Sequence, residues 1–190
     1  MYVDPEGNFP WLILGLLLLT PVGGIAAQIA TSVVCYTGMA IASIWDEKIR
    51  DDMNDINWNP FNSNEEIVFK SNKVSFYKGA PVFLKNSGRS GSFYAISLNK
   101  TRTTDTLRHE RGHNTQAMMM GIGTYGAMIG LPSWLEWGPK SRNYYNRPWE
   151  ITADMFGGVS RPTHTQTDIN RGWAYLVASS TLGPCGYFFC

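Results

Sequence analysis

The chain has 190 residues, a length that predicts one domain with room for an appendage. Its formal net charge is +1, so the charge balance gives no reason to expect nucleic acid as a partner. Charged residues make up only 16% of the chain, and none occurs between positions 8 and 45.

The first ten residues, MYVDPEGNFP, carry Asp4 and Glu6 but no lysine or arginine, which argues against a secretory leader. Residues 4–8, Asp-Pro-Glu-Gly-Asn, suit an ordinary turn. They also resemble the D-P-x-G-N stretch that closes the core of bacterial Rhs/YD-repeat polymorphic toxins. In that family a variable toxin domain follows immediately. The resemblance implies that residues 1–10 are the end of such a core or a linker, and that the chain is a delivered effector.

Two apolar runs follow, residues 11–20 and residues 25–45, and Pro21, Gly23 and Gly24 separate them. The second run is long enough to cross the hydrocarbon of a bilayer, whereas the first is too short by itself. Three interpretations stay open: a membrane-inserting hairpin, helices packed against the catalytic domain or a parent cage, and a segment that crosses a target membrane during delivery. We therefore expect residues 11–57 to form a hydrophobic helical segment, with membrane association through residues 11–45 as one outcome.

A turn-rich stretch at residues 58–64 predicts the start of a second unit, residues 58–190. Between residues 66 and 98, short runs rich in β-branched and aromatic residues alternate with turns, which predicts three or four short strands. We expect a small antiparallel sheet whose last strand, residues 92–99, directly precedes a helix. An exposed edge of this sheet could bind an extended peptide through its main chain.

The helix that follows contains His-Glu-x-x-His at residues 109–113. On a helix, His109 and His113 lie one turn apart on one face, so both imidazoles can bind one Zn²⁺. Glu110 flanks that position and can accept a proton from a metal-activated water. Gln116 lies on the same face. The alternative is a surface helix with two stray histidines.

A catalytic zinc usually has three protein ligands and one open position. Glu150 and Asp154 lie at i and i+4 in a predicted helix that starts at Pro148 and ends at Gly157 and Gly158. His164 and Glu136 are rival third ligands. The metzincin pattern requires a histidine at the position of Met119, which argues against His164. A solvated helix face is the alternative interpretation of Glu150 and Asp154.

The sequence motifs of the two predicted helices that carry His109 and Glu150 resemble those of a known family. H-E-x-G-H-x-x-Q, an apolar stretch with glycine and proline, and E-x-x-A-D-x-x-G-G together resemble zinc metallopeptidase domains at the ends of bacterial Rhs/YD-repeat proteins, over residues 98–159. The E-x-x-x-D part resembles the second helix of gluzincins. The resemblance implies an α+β, zincin-like fold and one Zn²⁺ bound by His109, His113 and Glu150. Asp154 would hydrogen-bond a ligating histidine.

These features predict a zinc endopeptidase that acts as a bacterial toxin, with Glu110 as general base in peptide hydrolysis. Tyr144, Tyr145, Arg161 and His164 are candidate donors to the developing oxyanion, and we favour His164 and Tyr145. The expected partners are a protein or peptide substrate, a cognate immunity protein, the parent Rhs/YD-repeat cage and a membrane.

Two alternatives belong to other functional classes. One is a membrane-active toxin that permeabilises a bilayer and has a structural metal site. The other is an inactive binding module that keeps the zinc for folding.

Overall fold

The computed structural model describes residues 20–54, 74–86, 88–101, 103–135 and 144–182, which form an α+β fold with an apolar N-terminal helix. Several sequence predictions lie outside the described residues: the toxin-like stretch 4–8, the apolar residues 11–19, the turn at 58–64, the strand residues before 74, and Glu136.

Two helices form the N-terminal part of the described chain. Helix α1 spans Pro21–Ala42, and the shorter α2 spans Glu47–Asn54. Thr20 caps α1, because its hydroxyl accepts a hydrogen bond from the backbone N–H of Gly23 at 3.3 Å. The predicted N-terminal helical segment is confirmed over these residues.

Among the described residues, four short strands form one sheet in the order β1-β2-β4-β3. They are β1 Val74–Tyr77, β2 Ala80–Lys85, β3 Gly91–Ser92 and β4 Ile96–Asn99. The β1–β2 and β3–β4 pairs are antiparallel, but β2 and β4 run parallel. The prediction of an antiparallel sheet is therefore wrong for the central pair.

The reason lies between residues 86 and 95. The chain reverses twice there, because β3 pairs on the far side of β4 before β4 itself begins. The predicted strand at 92–99 is correspondingly split into β3 and β4.

The two helices predicted to carry the site are present. Helix α3 spans Thr104–Met120, and the Thr103 hydroxyl caps it by accepting the N–H of Thr106 at 3.4 Å. Helix α6 spans Pro148–Gly157 and ends at Gly158 in the left-handed conformation, with φ 69°. The remaining elements are α4 Ile122–Tyr125, a π-helical turn Gly126–Gly130, α5 Leu131–Leu135, a 3-10 turn Tyr144–Asn146 and α7 Gln166–Leu182.

Helix α3 lies between two apolar clusters. Leu107 packs with the buried residues of the sheet. Ala117 and Met120 pack on the other side with buried residues of α4, the π-helical turn, α6 and α7. Both ends of the histidine helix are thus held by core packing.

Helices α3 and α6 cross with their backbones in contact. A Cβ atom on Gly112 would overlap the carbonyl oxygen of Ala153, and one on Gly157 would overlap that of Arg108. The glycine inside the His-Glu-x-x-His sequence is therefore required by the neighbouring helix.

We predict that Gly112→Ala lowers the free energy of unfolding by about 2 kcal/mol or more, because α6 has to move away. The matched control is Gly38→Ala in α1, where the added Cβ meets no atom within 4 Å. That change should be neutral or stabilising by up to about 1 kcal/mol. Thermal unfolding followed by circular dichroism measures both, and equal midpoints for the two variants would contradict the close crossing.

Candidate metal centre

Three buried side chains converge on one point between α3 and α6. Glu150 Oε2 lies 3.0 Å from His109 Nε2 and 3.4 Å from His113 Nε2. In a tetrahedral zinc site with bonds of about 2.0–2.1 Å, neighbouring ligand atoms lie about 3.3 Å apart. The three residues form a buried cluster that could hold a metal ion.

Asp154 orients the first histidine. Its Oδ1 lies 2.7 Å from His109 Nδ1, so a proton on Nδ1 leaves Nε2 free to face Glu150. Arg161 holds the same carboxylate through Nε at 2.5 Å and a terminal nitrogen at 3.1 Å. His109 and Arg161 outweigh the effect of burial and hold the pKa of Asp154 below its usual range.

Gln116 orients the second histidine. Its amide nitrogen donates to the carbonyl of Trp149 at 2.7 Å and to the hydroxyl of Thr152 at 2.5 Å. Its oxygen therefore faces His113 Nδ1, at 2.7 Å, and accepts the proton carried there. The Nε2 lone pair of His113 is directed towards Glu150 as a result.

The cluster is electrostatically suited to a cation. Burial disfavours charge on His109, but Asp154 and Glu150 outweigh burial and raise its pKa to about 10. Burial likewise opposes ionisation of Glu150, but His113 and His109 hold its pKa well below the usual range. The carboxylates therefore create a negative potential at the position where the two Nε2 atoms meet.

Two carboxylate oxygens in this region have no hydrogen-bond partner within the described part of the chain. They are Oε1 of Glu150 and Oε2 of Glu110, and both are buried. Since buried polar atoms are normally paired, these two oxygens fit a site that binds an ion and a polar ligand. The donor set of two imidazoles and one carboxylate also fits a catalytic zinc site.

Glu110 lies beside the cluster on the wall of a cleft. Burial raises the pKa of its carboxyl group, although His113 and His109 partly oppose the shift. Its main-chain carbonyl accepts a hydrogen bond from the Ser92 hydroxyl at 2.5 Å, which joins α3 to strand β3.

The cleft has a volume of about 660 Å³, within the usual range for ligand sites. Its lining includes strand β3 on one side and residues of α4, the π-helical turn, α5 and the 3-10 turn on the other. His109 and His113 of the candidate metal site also line it. Its aromatic and aliphatic lining residues are Phe93, Tyr125, Ile129, Trp134, Tyr144 and Tyr145.

The two tyrosines of the 3-10 turn occupy different positions. The Tyr144 hydroxyl hydrogen-bonds the Ser133 hydroxyl at 2.7 Å, and burial together with the Glu150 carboxylate raises its pKa. The ring of Tyr145 packs edge-on against His109 at 5.6 Å, and the Arg161 guanidinium lies 3.8 Å from its centroid.

His164 lies close to Asp154 and to the main chain of Tyr145. Its Nε2 is 3.0 Å from the main-chain oxygen of Tyr145 and 3.7 Å from Asp154 Oδ2. It belongs neither to the ligand cluster nor to the residues that line the cleft. Three further residues that line the cleft could not be predicted from the sequence, because no local pattern marks them: Ser92, Tyr125 and Ser133.

In comparisons with known proteins, no family model, no curated protein and no solved structure matches this sequence. The function is therefore inferred from the geometry of the cluster formed by His109, His113 and Glu150 and from the cleft beside it.

We predict that the purified protein binds about one Zn²⁺ per chain and that Asp154→Asn weakens this binding roughly 10- to 100-fold. The amide keeps the size of the side chain but removes the charge that His109 and Arg161 share. Competition with a chromophoric chelator measures the affinity. Asp51→Asn, an exposed change in α2, is the control. An affinity that is the same in all three proteins would contradict the role of Asp154.

Proposed function

We propose that this chain is a zinc-dependent endopeptidase with a zincin-like, gluzincin-type site, and that it acts as a bacterial toxin domain. One observation carries the proposal. Glu150 approaches His109 and His113 to 3.0 and 3.4 Å, and the buried carboxylate of Glu110 lies beside them on the wall of a cleft. Two oriented imidazoles, a carboxylate ligand and a neighbouring general base are the parts that metal-assisted hydrolysis requires.

His109, His113 and Glu150 would hold the zinc, while Asp154 and Gln116 keep the two histidine rings in place. A Zn²⁺ ion bound there would polarise the substrate carbonyl and activate a water molecule for attack.

Glu110 moves the proton in this reaction. Its carboxylate accepts a proton from the attacking water while the oxygen forms a bond to the peptide carbonyl carbon. It then donates that proton to the amide nitrogen as the C–N bond breaks. Because burial raises the pKa of Glu110, the group is suited to exchanging a proton near neutral pH.

We assign the donor that stabilises the oxyanion to Tyr144. Tyr144 lines the cleft, and its hydroxyl contacts that of Ser133, another lining residue. The effect of Glu150 on the pKa of Tyr144 indicates that the hydroxyl is close to the candidate metal ligands. His164 contacts Asp154 instead of the cleft, and Tyr145 packs its ring between His109 and Arg161. A hydroxyl donor positioned where negative charge develops lowers the barrier to hydrolysis.

Strand β3 supports an extended peptide as the substrate. Among the described strands it lies at the edge of the sheet and pairs with β4, while Gly91 and Ser92 line the cleft. A substrate strand could bind there through main-chain hydrogen bonds. The toxin role, the cognate immunity protein and the parent cage depend on the sequence resemblance at residues 4–8 and 98–159.

We predict that Glu110→Gln keeps the zinc but abolishes proteolysis and toxicity, because the amide cannot accept the proton. Metal analysis, terminal-peptide profiling of a treated proteome and growth of an expressing host measure these three properties. Glu47→Gln, an exposed change in α2, is the matched control. Toxicity and liposome leakage that persist in Glu110→Gln would instead support a membrane-active toxin with a structural metal site.

Tyr144→Phe should lower kcat roughly 100-fold, because one donor to the oxyanion is lost, while zinc content stays the same. Steady-state kinetics on a peptide found by the profiling measures the change. Tyr36→Phe in α1, away from the residues lining the cleft, should have no effect. A normal kcat in Tyr144→Phe would reject this assignment.

A further inference from the structure

Helix α1 has two unlike faces. The side that packs on the protein is formed mainly by small or polar residues: Gly23, Gly24, Ala27, Gln28, Thr31, Ser32 and Cys35. Met39, near the end of the helix, is the large apolar side chain that is buried there. The outward surface of the helix carries large apolar residues, and two more, Ile44 and Trp45, follow its last turn. Each of these side chains is between 51% and 78% exposed: Val22, Ile25, Ile29, Val33, Val34, Ile41, Ile44 and Trp45.

The inward face is fixed to the domain by close backbone approach and polar contacts. Gly24 packs against the main chain of Met118 so closely that a Cβ atom would overlap it. The Ser32 hydroxyl donates to the carbonyl of Gly79 at 2.7 Å. Asn114, on the histidine helix, donates to the side-chain oxygen of Gln28 at 2.5 Å.

This arrangement is the reverse of a helix on the surface of a water-soluble protein, which turns its apolar residues inward. Small and polar residues facing protein, with branched aliphatic residues facing outward, are typical of helices whose outer surroundings are lipid. An exposed apolar patch formed by eight large side chains marks a surface that another molecule covers.

The chain itself indicates which partner covers the patch. Residues 8–45 carry no charge, and the apolar residues 11–19 lead directly into Thr20, the N-cap of α1. A protein interface normally has a polar rim around its apolar centre, and the outward face of this helix offers no charged group for one. We propose that this face of α1 lies in the surface layer of a lipid bilayer while the inward face stays on the domain.

The contacts also give the orientation. Gln28 and Ser32, near the middle of α1, hydrogen-bond the turn formed by Lys78 and Gly79. If the docked helix crossed the bilayer, the Lys78 ammonium group and strand β1, at the edge of the sheet in the described part of the chain, would lie at hydrocarbon depth, where both are costly. The helix axis therefore lies in the membrane plane, with the aliphatic side immersed.

This placement does not depend on the peptidase proposal. It has one structural consequence for the site, because α1 contacts the histidine helix through Gln28 and Asn114. A bilayer on the far side of α1 would hold the cleft at a fixed distance from the membrane surface.

Flotation of the full chain with phosphatidylcholine vesicles, with and without one quarter phosphatidylglycerol, tests the proposal. We expect the protein to float with both vesicle types and to stay bound at high salt, because an uncharged face binds without ionic attraction. The triple variant Ile25→Ser, Ile29→Ser, Val33→Ser should bind the vesicles with an affinity lower by about tenfold or more. Its thermal midpoint and zinc content should match those of wild type, since these side chains are more than half exposed.

The control replaces exposed apolar residues elsewhere, Phe83→Ser with Val177→Ser, and should float like wild type. Wild type that stays at the bottom of the gradient, or a triple variant that floats as well as wild type, would overturn the proposal. The proposal would also be overturned if light scattering showed wild type to be a dimer and the triple variant a monomer, because the covering partner would then be a second copy of this chain.

Depth measurements separate a helix in the membrane plane from a spanning one. In a background with the native cysteines replaced by serine, nitroxide labels on Val22→Cys, Ile29→Cys and Val33→Cys report their depth by electron paramagnetic resonance. These three positions are more than half exposed and lie within about 40° of one another around the helix axis, so a helix in the membrane plane should give nearly equal depths. A depth that increases steadily from position 22, at the start of the helix, to position 33, near its middle, would show a spanning helix and contradict the docked orientation.

Discussion

The backbone contact between α3 and α6 determines where the three candidate metal ligands lie. Gly112, the residue before His113, and Gly157, about two turns after Glu150, let the two helices touch at two points. Only at this separation does Glu150 reach both histidines, and only then can Asp154 reach His109. Burial of Trp149, Ile151 and other α6 residues maintains the contact, so the site follows from packing of the core.

Much of the site follows from sequence pattern. Helical spacing places His109 with His113, and Glu150 with Asp154, on single helix faces, since both patterns depend on local geometry alone. The positions of Tyr144 and His164 could not be predicted, because they depend on how the chain enters and leaves α6. The parallel pairing of β2 with β4 was missed for a similar reason: it depends on where the two-residue strand β3 pairs.

The N-terminal helix shows how composition and structure answer different questions. Composition alone left a spanning helix, a packed helix and a translocated segment open. The structure shows a helix that packs through Gly24, Gln28 and Ser32 and leaves its aliphatic side outward. Packing on the domain and contact with lipid are therefore compatible, because they involve opposite faces of one helix.

X-ray absorption at the zinc edge of the zinc-loaded full chain tests the central claim most directly, because it identifies the ligand atoms. We expect four nitrogen or oxygen neighbours at about 2.0–2.1 Å, with a multiple-scattering signal that requires two histidines. Replacing Glu150 with alanine should change the oxygen contribution and leave the histidine signal. Zinc with sulfur neighbours at about 2.3 Å, or without any histidine signal, would contradict a centre formed by His109, His113 and Glu150.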